Sequence, residues 1–251
     1  MLGESLKLVK SKVTKKNEVY LTVEAEPSTA RSLSDFFTFE VPGARFMPAY
    51  RNRIWDGKIR LYSPANGELY MGLLPYLEKW LEDYDEPYEI SEELKDEKQI
   101  DRPILDGFIR QLNIRARGKS IKPRDYQVDA VEHAIRNHRA LLLSPTASGK
   151  SLISYILVRY YTLRLIDELN DKILILVPTT SLVEQMASDF IDYGWQEAHI
   201  QKVYSGHDKN VTKDVVISTW QSLYKMPTSY FNQFGMVVGD EAHLFKAKSL
   251  T

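Results

Sequence analysis

A short apolar run, Ala140–Leu143, gives way to Ser144-Pro145-Thr146-Ala147-Ser148-Gly149-Lys150-Ser151, and a helical pattern then continues from Gly149 to Ile166. A strand that turns through small residues into a helix, with Lys and Ser on its first turn, has the layout of a phosphate-binding loop. Each residue has a chemical reason. Small side chains at Thr146, Ala147 and Ser148 let backbone N–H groups wrap an anion. Gly149 permits close approach of the backbone. Lys150 sets a positive charge against the β- and γ-phosphates, and the Ser151 hydroxyl is a ligand for Mg²⁺. The new helix points its positive end at the same anion. The general pattern begins with Gly, whereas this loop begins with Ser144. The plain alternative is a small-residue turn whose lysine is merely solvated.

The surrounding sequence has α/β spacing. Arg124–Asn137 is an amphipathic helix with Val128, Val131, Ala134 and Ile135 on one side. Ile173–Val177 is a five-residue apolar run without alternation, as in a parallel strand covered on both faces. Ser181–Tyr193 reads as a helix, and Val203, Val215–Ser218 and Met236–Val238 mark further strands. Repeated β-α units imply a parallel sheet with ligands at the carboxyl ends of its strands. One of those ends carries Gly239-Asp240-Glu241-Ala242-His243. In a nucleotide site Asp240 holds Mg²⁺ and Glu241 orients and deprotonates the attacking water. An acidic turn after a buried strand is the plain alternative. Lys150 and Asp240 are about 90 residues apart, room for several βα units that bring both to one phosphate.

The first half reads as a small α+β domain. Val19, Leu21 and Val23 alternate as in a strand. Ser28 is placed to cap a short helix with Leu33, Phe36 and Phe37 on its apolar face. A strand around Ile59–Tyr62 and a helix over Gly72–Tyr84 follow. Charge is uneven along the chain. Arg45, Arg51, Arg53, Lys58 and Arg60 cluster against one acid, Asp56; residues 78–98 are strongly acidic; Arg110–Arg124 is basic again. The boundary is placed in the acidic stretch, giving domains 1–95 and 96–251. Basic residues interleaved with Phe46, Tyr50, Trp55 and Tyr62 suit phosphate contacts with base stacking. The competing reading makes Phe46 and Trp55 core residues and the arginines a solvated face. The chain as a whole carries 33 Lys plus Arg against 34 Asp plus Glu, net −1, so any polyanion surface is local. With no cysteine there is no disulfide, thiolate metal site or Cys nucleophile. No apolar run is long enough for a membrane span and the N-terminus lacks a signal-peptide core, so the expected location is the cytoplasm.

Taken in order, these strings resemble the superfamily 2 helicases. Arg124-Asp125-Tyr126-Gln127 is similar to the glutamine motif, whose Gln127 would read adenine while Arg124 stacks on it. Pro145–Ser151 resembles motif I. Val177–Leu182 with Gln185 resembles motif Ia, and Ile217–Leu223 resembles motif Ic, which implies strand contacts at Thr179, Thr180, Ser218 and Thr219. Asp240–His243 spells the DEAH form of motif II, and only the motif gives His243 a role, in coupling. The N-terminal strings Asp35–Phe39, Arg45-Phe46-Met47-Pro48 and Trp55–Leu61 resemble the UvsW helicase family of large tailed phages, as does Phe231–Met236. The resemblance implies an ATP- and Mg²⁺-dependent DNA helicase of recombination and repair. Its substrate would be branched or single-stranded DNA, including RNA–DNA hybrids. It also implies that motif III and a second RecA-like domain lie beyond Thr251, eight residues after His243. The first RecA-like sheet is then expected to be incomplete, and the missing half is expected in cis or on a second chain. The alternative is a stand-alone DNA-binding module that binds ATP weakly and turns little over.

Overall fold

The computed structural model describes residues 10–95, 100–137, 139–145, 147–162, 171–206 and 208–246. The chain divides into two compact units, Met1–Glu97 and Lys98–Thr251.

In the first unit, β1 (Ser11–Lys15) and β2 (Tyr20–Glu24) form a hairpin. Then come α1 (Pro27–Phe36), β3 (Thr38–Glu40), α2 (Pro48–Arg51), β4 (Lys58–Arg60), β5 (Tyr62–Ser63), β6 (Glu68–Tyr70), α3 (Leu74–Asp83) and β7 (Tyr88–Ile90). The main sheet runs β5-β6-β2-β1-β7, antiparallel except for β1 against β7. Alternation selects its buried face: Leu21 and Val23 are buried while Val19 lies outside the strand, half exposed. Leu33 and Phe37 from the α1 region join Leu77, Trp80 and Leu81 of α3 on that core. Three sequence expectations need correction. Pro27 occupies the first turn of α1 with Glu26 before it, so Ser28 lies inside the helix and is not its cap. Phe36 is exposed, not core. The strand expected around Ile59–Tyr62 is two strands in different sheets: β4 pairs with β3 as a separate ribbon, and β5 joins β6. Leu61 N donates to Phe37 O between them, where the chain leaves one ladder for the other.

The second unit opens with α4 (Arg102–Gln111) and the short ribbon β8 (Arg115–Ala116) and β9 (Lys119–Ser120). It continues with α5 (Asp125–Asn137), α6 (Lys150–Thr162), β10 (Lys172–Val177), α7 (Thr180–Asp192), β11 (Ile200–Val203), β12 (Val215–Thr219), α8 (Trp220–Leu223) and β13 (Phe234–Gly239). The sheet is parallel throughout, in the order β11-β12-β10-β13. Strand periodicity sorts its apolar residues onto two faces. Ile173, Ile175, Val177, Val215 and Ile217 join the core built with α5, α6 and α7. Leu174, Val203 and Val216 pack with Leu223 on the other face. That two-sided burial is why β10 is apolar without alternation.

Ala140–Leu143 is a correction. It forms no strand, and Leu141 and Leu143 are 71% and 90% exposed. Apolar character alone does not make a strand; a ladder partner does. The helix expected as far as Ile166 is described only to Thr162, and residues 163–170 lie outside the described residues. Among the described residues, no helix is long and apolar enough to cross a membrane.

Candidate functional site

The carboxyl end of β13, beside that of β10, carries Asp240 and Glu241, and Lys150 reaches Glu241 there. β10 and β13 run in register to Leu176 and Gly239, and Asp240 N donates to Leu176 O (2.8 Å). This brings the turn after β13 beside the start of α6. Lys150 Nζ lies 3.1 Å from Glu241 Oε1, across 91 residues of sequence, with both side chains about one-third exposed. Glu241 adopts a left-handed φ of 54°, a strained conformation for a non-glycine residue and one that marks functional turns. His243 Nδ1 sits 3.3 Å from the other oxygen of that carboxylate, Oε2. Glu241 N donates to Asp240 Oδ1 (3.0 Å).

The loop before α6 is tied to α5. Gln127 is buried; its Nε2 donates to Ser148 O (2.9 Å), and its Oε1 accepts from Arg124 N (2.9 Å). The Tyr126 hydroxyl donates to the same Ser148 carbonyl (2.8 Å), and Arg124 reaches the Tyr126 oxygen at 3.4 Å. Ser148 Oγ and Ser144 Oγ are 2.6 Å apart. Ala147 and Gly149 both have positive φ, 63° and 80°. Thr146 lies outside the described residues. The Ser151 hydroxyl is 3.0 Å from the Tyr193 hydroxyl. Burial raises the Asp189 carboxyl above the ordinary carboxylate range, opposed by its hydrogen bond with Ser151. Burial likewise raises the Tyr193 phenol. Sequence reasoning assigns no role to Tyr126, Asp189 or Tyr193. Tyr126 stands next to Gln127 and is detectable from the motif; the other two, at the end of α7, carry no local signal.

Among the described residues, no three acidic or histidine side chains converge to cage a metal. The Ser151 hydroxyl, which faces Tyr193, and the Asp240 carboxylate are hard oxygens of the kind that suit Mg²⁺. These hard oxygens fit an ion that keeps most of its waters and shares phosphate oxygens with its nucleotide.

The expected strand-contact residues divide sharply. Thr179 and Thr180 are exposed at the end of β10. Thr179 caps α7, its Oγ1 accepting from Leu182 N (3.3 Å). Loss of such a cap costs about 0.5–2 kcal/mol, so Thr179→Ala should lower stability by that amount in a denaturant titration. An unchanged midpoint would remove the cap. Ser218 is a correction, being fully buried with its hydroxyl donating to Val203 O (2.6 Å). Thr219 is 4% exposed and hydrogen-bonded to Ser222, so its side chain does not present a surface. Both residues are polar and expected outside, but β12 is an interior strand of the sheet.

In the first unit Arg45, Arg51, Arg53, Lys58 and Arg60 are all exposed. Four of them, Arg45, Arg51, Arg53 and Arg60, line an open cleft of about 870 Å³ with Tyr50 and Trp55. Phe46 is 62% exposed under the Arg45 guanidinium, so it is not a core residue. Trp55 is half-buried, its Nε1 donating to Lys58 O (2.8 Å). Gly57 has φ 80°, and a Cβ there would press on Ala44 and on the Tyr50 ring, which explains the glycine in the Trp-Asp-Gly string. Arg60 is ion-paired with Asp56, and that hydrogen bond holds the carboxyl below its ordinary range.

Comparison with known proteins is consistent with this arrangement. Residues 11–91 match the family described as DNA helicase UvsW, N-terminal, and residues 120–251 match the family described as type III restriction enzyme, res subunit. The chain is 38% identical over 237 residues to the ATP-dependent DNA helicase uvsW of Enterobacteria phage T4, covering 92% of this chain and 46% of that protein. It is 26% identical over 153 residues to a DNA 3′-5′ translocase of Sulfurisphaera tokodaii, covering 59% of this chain and 30% of that one. The chain thus spans less than half the length of these relatives. Two crystal structures of the phage T4 protein superpose with TM-scores of 0.83 and 0.85 at 37% identity. Each covers 96% of this chain, which spans 85% and 49% of the respective solved chains.

Proposed function

Because the chain belongs to the UvsW helicase family, we propose that it is the ATP- and DNA-binding N-terminal portion of a helicase acting on branched DNA. The observation that carries the nucleotide part is the 3.1 Å contact of Lys150 with Glu241. It supports one site built from two distant sequence segments, each of which alone has an ordinary explanation.

In this reading Lys150 exchanges Glu241 for the β- and γ-phosphates of ATP. Glu241, freed from the lysine, orients the attacking water and accepts its proton. Backbone N–H groups at Ala147, Ser148 and Gly149 hold the phosphates, and Thr146 is assigned with them. Gln127 retains one amide hydrogen and one lone pair for the adenine edge, with Arg124 over the ring. Ser151 and Asp240 hold Mg²⁺, which when bound neutralises charge on the phosphates. His243, beside Glu241, couples that carboxylate to DNA. Thr179 and Thr180 touch the DNA backbone. The arginine that stabilises the transferring phosphoryl group is assigned to a second RecA-like domain, in cis or on another chain. Such an arginine is worth about 10³–10⁵ in rate.

The test is ATP hydrolysis by this chain with and without forked DNA, with Glu241→Gln as the control. The expected result is negligible turnover with ATP and DNA binding both present. DNA-stimulated turnover lost in the Glu241 variant would instead place all catalytic groups on this chain.

The arginine cleft favours a second reading, a DNA-binding module with little turnover. Both readings share one expectation. Arg51→Ala combined with Arg53→Ala should weaken DNA binding and flatten the slope of log affinity against log salt. The slope should fall by about 0.7–0.9 for each phosphate that is no longer neutralised. Unchanged affinity and slope in a salt titration would take these residues off the DNA surface.

A further inference from the structure

The turn after α2 presents an unusual side chain. Ile54 is 79% exposed, the most exposed of the large apolar residues in the described part of the first unit. A solitary exposed aliphatic residue is ordinary; its setting here is not. The turn is held rigidly. Asn52 N donates to Pro48 O (2.9 Å), Arg53 N to Tyr50 O (3.0 Å), and Ile54 N and Trp55 N both to Ala49 O (2.9 and 3.2 Å). Arg53 supports it in a left-handed conformation, φ 56°. The Trp55 indole is pinned to Lys58 O just beyond it. A β-branched side chain on a fixed backbone therefore projects into solvent.

Around it stand Arg45, Arg51 and Arg53, none of which has a carboxylate partner among the described residues, whereas Arg60 is neutralised by Asp56. Three guanidinium groups without a carboxylate partner among the described residues, set around a rigid apolar tip, suit a polyanion whose interior is apolar. Nucleic acid has that chemistry: phosphates outside and stacked base faces within. A protein partner would have to supply several acids around an apolar pocket to match it. Apolar residues on DNA-binding surfaces enter the stack between base steps, and phosphate contacts around them hold the distorted duplex.

We propose that Ile54 is a wedge that enters the base stack where the strands of branched DNA part, with Arg45, Arg51 and Arg53 holding the flanking phosphates. The proposal rests on the reading of this surface as DNA-binding and adds the place on DNA that it recognises. Opening a base step costs least at a branch, where stacking is already broken on one side.

The experiment uses the full chain and a forked duplex carrying 2-aminopurine beside the branch point, whose fluorescence rises when the base unstacks. The wild type should raise the signal on binding. Ile54→Ala should bind the fork through its arginines but lose most of the rise, and Ile54→Leu should retain it. The same probe placed within an unbranched duplex should respond weakly to all three. A full rise with bound Ile54→Ala, or a wild type that binds the fork without any rise, overturns the wedge and leaves DNA binding standing. If Arg51→Ala with Arg53→Ala binds the fork as the wild type does, with the same salt slope, the DNA reading falls and the wedge with it. The surface would then belong to a protein partner. Circular dichroism of each variant separates these results from loss of fold.

Discussion

Lys150→Ala should abolish most of the chain's affinity for ATP while leaving its DNA binding intact. The lysine stands at the first turn of α6, one-third exposed, against Glu241. Removing it takes away the positive charge meant for the phosphates. It also leaves Glu241 without that cation, facing an incoming triphosphate of the same sign. Losing a hydrogen bond to a charged group costs about 1.5–3 kcal/mol. That is roughly 10- to 150-fold in affinity at about 1.4 kcal/mol per tenfold. Titration with a fluorescent ATP analogue in the presence of Mg²⁺ reads the loss, and a parallel titration with forked DNA should match the wild type. A folded variant that loses both affinities equally would contradict the assignment of ATP and DNA to separate surfaces.

Gly149→Ala should be as damaging, for a different reason. The position has φ 80°, and a Cβ there would overlap the Gln127 amide nitrogen. A strained left-handed residue costs on the order of 1–3 kcal/mol. The Gln127 side chain has no cheap escape, since it is buried and bonded to both Ser148 O and Arg124 N. Displacing it leaves buried polar groups unpaired, at about 1–3 kcal/mol each. The variant should therefore lose thermal stability and nucleotide affinity together, whereas Lys150→Ala loses only the second. Adding Gln127→Ala should recover part of the steric loss and none of the backbone strain, so the two substitutions should be non-additive. Equal melting temperature and equal ATP affinity in Gly149→Ala would show that the loop is not clamped by Gln127.

Much of this molecule is written locally. The uninterrupted apolar run of β10 specifies an interior parallel strand, because only two-sided burial rewards it, and Ile173, Ile175 and Val177 face one core while Leu174 faces the other. The spacing of Val128, Val131 and Ile135 specifies α5. Motif order singles out Gln127, Lys150, Asp240 and Glu241 as candidates, and the structure brings Lys150 and Glu241 into contact.

The failures share a cause. Ala140–Leu143 is as apolar as a strand, yet it forms none, since pairing is a property of neighbours. Ser218 and Thr219 have the polarity of surface residues and are buried, because β12 lies between two other strands and the sheet overrides the side chain's preference. Ile59 and Tyr62 are three residues apart and belong to different sheets.

By itself the sequence determined the α/β class and the basic character of residues 45–60, because each depends on residue type and spacing along the chain. Only the tertiary structure decided that Lys150 meets Glu241, that Gln127 clamps the loop through Ser148, that Tyr193 holds Ser151, and that Ile54 stands bare among arginines. These are contacts between segments far apart in sequence, or an exposure set by how the chain turns. Their energies depend on distance and burial, and neither is encoded in any local run of residues.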